Sequence, residues 1–227
     1  MKKILLCILV FFAAGYFVVM ETETGQDLFL DRLLSVMTQN QQTAPVDGLD
    51  VYICGASSPL STTGNAQSCV FIIAGDRSFV VDTGPGSPRV IRRLGLPLNN
   101  LEAVLLTHFH GDHISALGDV NFNSWVAGRG KKLTVMGPEG VDLVVNGFNQ
   151  AYSLDSSYRT RHHGWDILPL EYSVMQSKTI EAGLVFEEDG LSIRAFRVDH
   201  SPIEPAVGYR FDYKGRSVAV SGDSIVT

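Results

Sequence analysis

Cysteine is scarce in this chain, and its placement excludes one common kind of metal site. The 227 residues hold three cysteines, Cys7, Cys54 and Cys69, and no two stand in a Cys-x-x-Cys spacing. A thiolate zinc finger or ribbon needs such pairs. Basic charge is also in deficit: Lys and Arg total 18 against 24 Asp and Glu, a formal net charge of -6. A broad nucleic-acid-binding surface needs a basic excess or a basic face, so on this count nucleic acid is not an expected partner. The acidic balance bears on solubility, not on fold. No internal repeat recurs at solenoid periods. With 45% hydrophobic and 19% charged residues, what remains is an ordinary globular domain with room for an appendage.

Long apolar runs are equally rare, and the exception lies at the very start. Met1-Lys2-Lys3 is followed by an unbroken apolar stretch from Ile4 to Met20. Residues 1–20 are therefore expected to be a secretory signal peptide or an N-terminal membrane anchor, with a buried core helix as the alternative. The small residues Ala13-Ala14-Gly15 lie inside the run, and Val18-Val19-Met20 is a poor cleavage site, which favours an uncleaved anchor. Lys2 and Lys3 would stay cytoplasmic, so the rest of the chain is expected to be exported: periplasmic, anchored facing the periplasm, or secreted. In such an oxidising compartment Cys54 and Cys69, each on an expected strand, form a disulfide or else serve as two small buried hydrophobes.

Residues 21–47 read as a connector, with Leu28, Leu30, Leu33, Leu34 and Met37 suited to one short amphipathic helix before Pro45. The main domain is expected over 48–227. Strand patterns cover 50–54, 69–73 and 78–81, the last two separated by Gly75-Asp76. Ser87-Pro88 opens a helix, with Ser as cap and Pro in the first position. Short strands follow at 103–106 and 132–136. Gly137-Pro138-Glu139-Gly140 then turns into a helix through Val144 and Phe148. Strands at 192–198, 207–213 and 217–220 complete the pattern, with Lys214-Gly215 as a hairpin turn. The class is α/β with early antiparallel strands.

Histidine is present in one dense cluster. Of six histidines, three fall in Thr107-His108-Phe109-His110-Gly111-Asp112-His113. Thr107 ends a buried strand, so the cluster is a loop at a strand's C-terminal edge. His108 and His110 can converge on one point, and Asp112 and His113 follow in a tight turn that Gly111 permits. Imidazole and carboxylate ligands suit zinc, iron or manganese. The two pairs suggest two metals, and such a site needs further ligands and a bridging carboxylate. His200 and Asp223, each just past the end of an expected strand, are candidates. Asp82, in Val81-Asp82-Thr83-Gly84, is placed to support a ligand from behind.

These residues resemble the metallo-β-lactamase superfamily, whose His-x-His-x-Asp-His signature stands here at 108–113. The resemblance runs from about Asp50 to Asp223 and includes Asp82-Thr83-Gly84. His200 with Gly208-Tyr209-Arg210, and Ser221-Gly222-Asp223-Ser224, are similar to the branch that holds the tRNA 3′-processing endonucleases (RNase Z) and arylsulfatases of this fold. The resemblance implies a four-layer αββα sandwich with two zinc ions at one edge. His108, His110 and His200 would hold one zinc; Asp112 and His113 would hold the other, with Asp223 bridging. It also implies a hydrolase in which a metal-bound hydroxide, positioned by the catalytic Asp112, attacks an ester.

Three features shape the expectation further. The RNase Z proteins carry a tRNA-gripping arm between the positions matched by His200 and Asp223, and here that interval has room only for two strands and a turn, so tRNA is not expected as substrate. The family's final histidine ligand has no counterpart, because the sequence runs only to Thr227. The hydrolase domain is thus expected to lack its C-terminal part, and two zincs are expected only if the missing ligand is supplied. Finally, Tyr158 to Trp165 is expected to be a loop. Arg161, His162 and His163 would either form a lid that binds a phosphate or sulfate or lie on a solvated surface. The expected function is an exported dinuclear zinc hydrolase of a small anionic ester, an aryl sulfate or a phosphodiester. The alternatives are a lactone or β-lactam hydrolase, or a catalytically inactive metal-binding homologue or fragment.

Overall fold

The computed structural model of the chain describes residues 15–17, 21, 22, 24–29, 32, 47–61 and 64–225. The chain divides into two units, Met1–Ala44 and Pro45–Thr227. In the first, residues 15–17, 21 and 24–29 are helical. Most of the N-terminal apolar run lies outside the described residues, as do Leu30, Leu33, Leu34 and Met37 of the expected amphipathic helix. Among the described residues no helix is long and apolar enough to cross a membrane.

Among the described residues, the second unit contains ten strands and four α-helices. The strands are β1 (Leu49–Gly55), β2 (Cys69–Ala74), β3 (Arg77–Val81), β4 (Leu101–Leu105), β5 (Leu133–Gly137), β6 (Met175–Thr179), β7 (Gly183–Glu188), β8 (Leu191–Arg197), β9 (Val207–Tyr213) and β10 (Arg216–Val220). The helices are α1 (Ser87–Arg93), α2 (Gly111–Ile114), α3 (Leu117–Val126) and α4 (Val141–His163). The larger sheet has the order β1-β2-β3-β4-β5-β6, and the smaller β10-β9-β8-β7. β1 to β3 pair antiparallel and β3 to β6 parallel, whereas the smaller sheet is antiparallel throughout.

Burial follows from this stacking. In β3, Phe79 and Val80 are both fully buried although they point to opposite faces, because the strand has a layer on each side. Phe71, Val80, Val104, Leu106, Leu117, Val135 and Val145 form the core between the larger sheet and the helices. Ile72, Phe79, Leu105, Ile193, Tyr209 and Phe211 form a second core between the sheets. This is the α/β sandwich expected from the sequence. The second helical layer of the four-layer αββα arrangement is not among the described residues, and Arg194 and Arg210 on the smaller sheet are exposed.

Two local expectations change, the cap of α1 and the extent of α4, and two outer strands, β6 and β7, were not expected; the Lys214-Gly215 turn and the disulfide are as the sequence allowed. Ser87 does not cap α1. Gly86 does, at φ 85°, and Ser87 is buried inside the helix; a left-handed cap position suits glycine. The helix begun at Gly140 continues to His163. Its later buried positions are Ser156 and Thr160, so no apolar periodicity marks that half. β6 carries an exposed Gln-Ser-Lys-Thr stretch because it is the outer strand of its sheet, and no alternation announces it. β7 is likewise an outer strand. Lys214 and Gly215 turn the β9–β10 hairpin with φ of 46° and 77°, the two positive angles of a type I′ turn. Cys54 and Cys69 are joined in a disulfide.

Candidate metal centre

The site lies where strands of both sheets end. Leu105 accepts from the Asp82 amide at 3.0 Å, and Thr107 accepts from the Val207 amide at 3.0 Å. The first bond ties the end of β3 to β4, and the second ties the histidine loop to β9 of the other sheet. Tyr209 donates its hydroxyl to the Leu106 carbonyl at 2.7 Å, and burial pushes that phenol far above its ordinary pKa. His110 accepts from the amides of His113 and Ile114 at 3.0 and 3.2 Å. Those bonds start α2 and turn His113 back toward His108.

The six ligand candidates converge. The ligand atoms of His108, His110 and His200 lie within 4.8 Å of one another, and so do those of His108, His113 and Asp223. His108 belongs to both groups. Nε2 of His108 stands 3.0 Å from Nδ1 of His110. Asp223 lies between the groups, with Oδ1 3.3 Å from Nε2 of His113 and Oδ2 4.0 Å from Nε2 of His200. Asp112 places Oδ2 3.6 Å from the same His113 nitrogen.

Beneath these groups sits Asp82, 1% exposed and itself at φ 58°. It accepts from the Thr107 amide at 2.9 Å, from the Thr107 hydroxyl at 2.9 Å and from Nδ1 of His113 at 2.7 Å. Thr107 was legible only as a strand end, yet its hydroxyl also lies 3.1 Å from Nδ1 of His108. A hydroxyl has one proton. Given to Asp82, it leaves the oxygen to accept from His108 Nδ1–H. One carboxylate thereby turns Nε2 of both His108 and His113 toward the ligand cluster.

Charge differs across the cluster. His108 is pulled down to about 4 by burial, with His113, His110 and His200 adding repulsion. Burial also pulls His113 down, but its hydrogen bond to Asp82 and the charges of Asp82, Asp223 and Asp112 outweigh this, and its net shift is upward. Nε2 of His200 is buried with no hydrogen-bond partner among the described residues. An orphaned imidazole lone pair beside two other imidazoles and a carboxylate fits a bound cation, and the nitrogen and carboxylate donors suit zinc.

Arg161, His162 and His163 are not brought to this cluster. They form the last turn of α4, not a loop. The opposite end of that helix touches the site: a Cβ at Gly140 would lie 3.3 Å from the Phe109 ring. At about 1.5 Å per residue the two ends are roughly 30 Å apart. Arg161 instead lies over the Tyr158 ring at 5.2 Å.

A cluster of metal-ligating side chains at the shared edge of two stacked sheets defines a class, and sequence comparison agrees with it. The model of the metallo-beta-lactamase superfamily matches residues 62–227, and the chain belongs to that superfamily. Within it, the chain is 34% identical over 180 residues to a ribonuclease Z of Mycolicibacterium gilvum (strain PYR-GCK), covering 78% of this chain and 62% of that protein. It is 35% identical over 180 residues to the ribonuclease Z of Mycobacterium bovis (strain BCG / Pasteur 1173P2), covering 78% of this chain and 63% of that protein. The chain thus spans less than two thirds of the length of these relatives. Human tRNase Z, short form, shares the fold with a TM-score of 0.57 at 19% identity, over 76% of this chain and 68% of that one. The Bacillus subtilis fold relative YhfI gives 0.57 at 18%, over 80% and 65%.

These relatives overturn the exclusion of nucleic acid from the partners. The proteins that match at 34–35% identity are ribonucleases. A net charge summed over a whole chain does not describe the field at one edge, and here four imidazoles meet at that edge. The interval from His200 to Asp223 does hold only β9, β10 and their turn, but the lack of an arm there does not remove nucleic acid as a partner.

Proposed function

We propose that this chain is the catalytic part of a two-zinc phosphodiesterase that acts on RNA. The observation that carries the reading is the convergence of His108, His110, Asp112, His113, His200 and Asp223 on one sheet edge, in a chain about a third identical to ribonucleases Z. His108, His110 and His200 would hold one ion; Asp112, His113 and Asp223 would hold the other, with Asp223 reaching both. Bound zinc supplies a water of lowered pKa and a positive charge against the developing oxyanion.

The chain's own residues do the rest. Asp82 and Thr107 hold two imidazoles in one tautomer and orientation. Asp112, next to His113 and only partly buried, would take a proton from the attacking water. Phosphodiester chemistry is favoured over aryl sulfate, lactone or β-lactam hydrolysis by the identity to ribonucleases Z. The test is turnover by the zinc-loaded full chain of a 3′-extended RNA, a bis-aryl phosphodiester, an aryl sulfate and a lactone. Chelator-sensitive cleavage of both phosphodiesters, with the higher kcat/KM on RNA, is expected. Turnover confined to the sulfate or the lactone would sink the reading.

We further propose that the chain works outside the reducing cytosol. What supports this is the apolar run after Lys2-Lys3 together with the Cys54–Cys69 disulfide. Fractionation of expressing cells tests it: the oxidised protein is expected in the exported fraction, and a fully reduced cytosolic pool would refute export.

A further inference from the structure

The disulfide lies closer to the metal centre than the sequence separation suggests. Cys69 opens β2, and the residue before it is Ser68. Ser68 accepts from the Gly84 amide at 2.8 Å, and Gln67 donates to the Pro85 carbonyl at 2.9 Å. The Ser68 hydroxyl reaches Asp82 Oδ2 at 3.4 Å. On the other side of the same segment, Thr83 donates its amide to the His113 carbonyl at 2.6 Å and accepts from the Ala116 amide at 2.8 Å. Three backbone layers are therefore stacked in the order 66–68, 82–86 and 112–116, and the last carries Asp112 and His113.

The stack leaves no slack. A Cβ on Gly84 would sit 2.2 Å from the Asp112 carbonyl oxygen, 2.6 Å from the Gln67 carbonyl carbon and 2.7 Å from the Ser68 nitrogen. A shift of the 66–68 layer thus passes directly to the ligand-bearing layer. That outer layer meets the chain after β1 at an irregularity, where Ala66 accepts from the amides of Ala56 and Ser57 at 3.0 Å. The β1–β2 register slips between Ile53 and Gly55, so Cys54 is skipped and Gly55 pairs with Cys69. The covalent link from the skipped Cys54 to Cys69 closes the gap, and both sulfur residues are 1% exposed. His200 takes no part in the stack's hydrogen bonds, and His110 joins them only through its backbone carbonyl, which accepts from the amides of His113 and Ile114.

We infer that the Cys54–Cys69 disulfide is a positioning element for the Asp112–His113–Asp223 half of the metal centre. It holds the 66–68 layer against Gly84 and so fixes where Asp112 and His113 stand. The inference rests on the two-zinc reading above.

The experiment is a zinc titration of the full chain against a chromophoric chelator, read for both binding events. It compares the oxidised wild type, Cys54→Ala/Cys69→Ala, and Ser68→Ala, which keeps the disulfide. The double variant is expected to bind its first zinc with wild-type affinity and its second at least about tenfold more weakly, the scale at which supporting groups act on metal affinity. Ser68→Ala is expected to move the second zinc less. Unchanged affinities in the double variant overturn the inference. So does an equal loss of both zincs, or failure to fold, since the disulfide is then a brace for the whole domain. The two readings fail separately. A wild type with no second zinc sinks the two-zinc reading and this inference with it, whereas a wild type with two zincs beside an unchanged variant sinks only the inference.

Discussion

Where one half of the metal centre gathers three imidazoles, the other sets an imidazole among carboxylates. His108, His110 and His200 stand together, and burial, with the neighbouring imidazoles of His113, His110 and His200, holds His108 down at about 4. His113 has Asp82 behind it and Asp112 and Asp223 beside it, and its pKa rises. Support differs too. The first half hangs on Thr107 and the end of β8. The second rides on a stack of loops that reaches back to β2. The first half should therefore hold its ion against protons and small displacements, and the second should yield first to both.

Several changes bear on that contrast. His108→Ala removes a ligand of the first ion, so it should lower turnover by on the order of 10³-fold or more, as when one member of a catalytic unit is lost, and abolish binding of the first zinc by titration. Retention of the first ion at wild-type affinity would mean that His108 is misassigned as its ligand. Asp82→Asn should weaken zinc by about 10–100-fold, more for the second ion than the first, because His113 bonds to Asp82 directly and His108 only through Thr107. Equal weakening of both would erase the distinction.

Thr107→Val should cost about tenfold in affinity for the first ion, with recovery in Thr107→Ser, which keeps the hydroxyl. A loss that serine does not restore would point to packing against Gly222, whose added Cβ would lie 2.8 Å from Thr107, and not to the hydrogen bond.

Acid should separate the halves as well. Proton and metal compete for the same Nε2. A raised pKa at His113 means that protons compete there at a higher pH than at His108, which stays unprotonated until about 4. Zinc content measured after dialysis from pH 8 toward pH 5 should fall first by one ion. Simultaneous loss of both would contradict the charge asymmetry. The smallest effect is expected from Arg161→Ala/His162→Ala/His163→Ala: less than about twofold in kcat/KM on a small phosphodiester, since α4 carries these residues away from the edge.

The part of the site written as local spacing was legible in the sequence. His108, His110, Asp112 and His113 lie within one loop, and His200 and Asp223 announce themselves at strand ends. What was not legible depends on long-range packing. Thr107 looks like any strand terminus until Asp82 is placed beneath it. Gly84 looks like a turn glycine until two backbones close on it. The basic stretch at 161–163 read as a loop because α4 buries Ser156 and Thr160 instead of leucines, which hides the helical period. The outer strands β6 and β7 lacked an apolar face pattern for a related reason: an edge strand needs to bury less.

The most direct test of the account is the zinc content of the purified full chain, measured by elemental analysis and set beside phosphodiester turnover before and after chelation. Two zincs per chain, with turnover lost on chelation and regained on adding zinc, is the predicted result. One zinc or none in a folded chain, or turnover indifferent to chelation, would contradict the claim that these six residues form a working dinuclear centre.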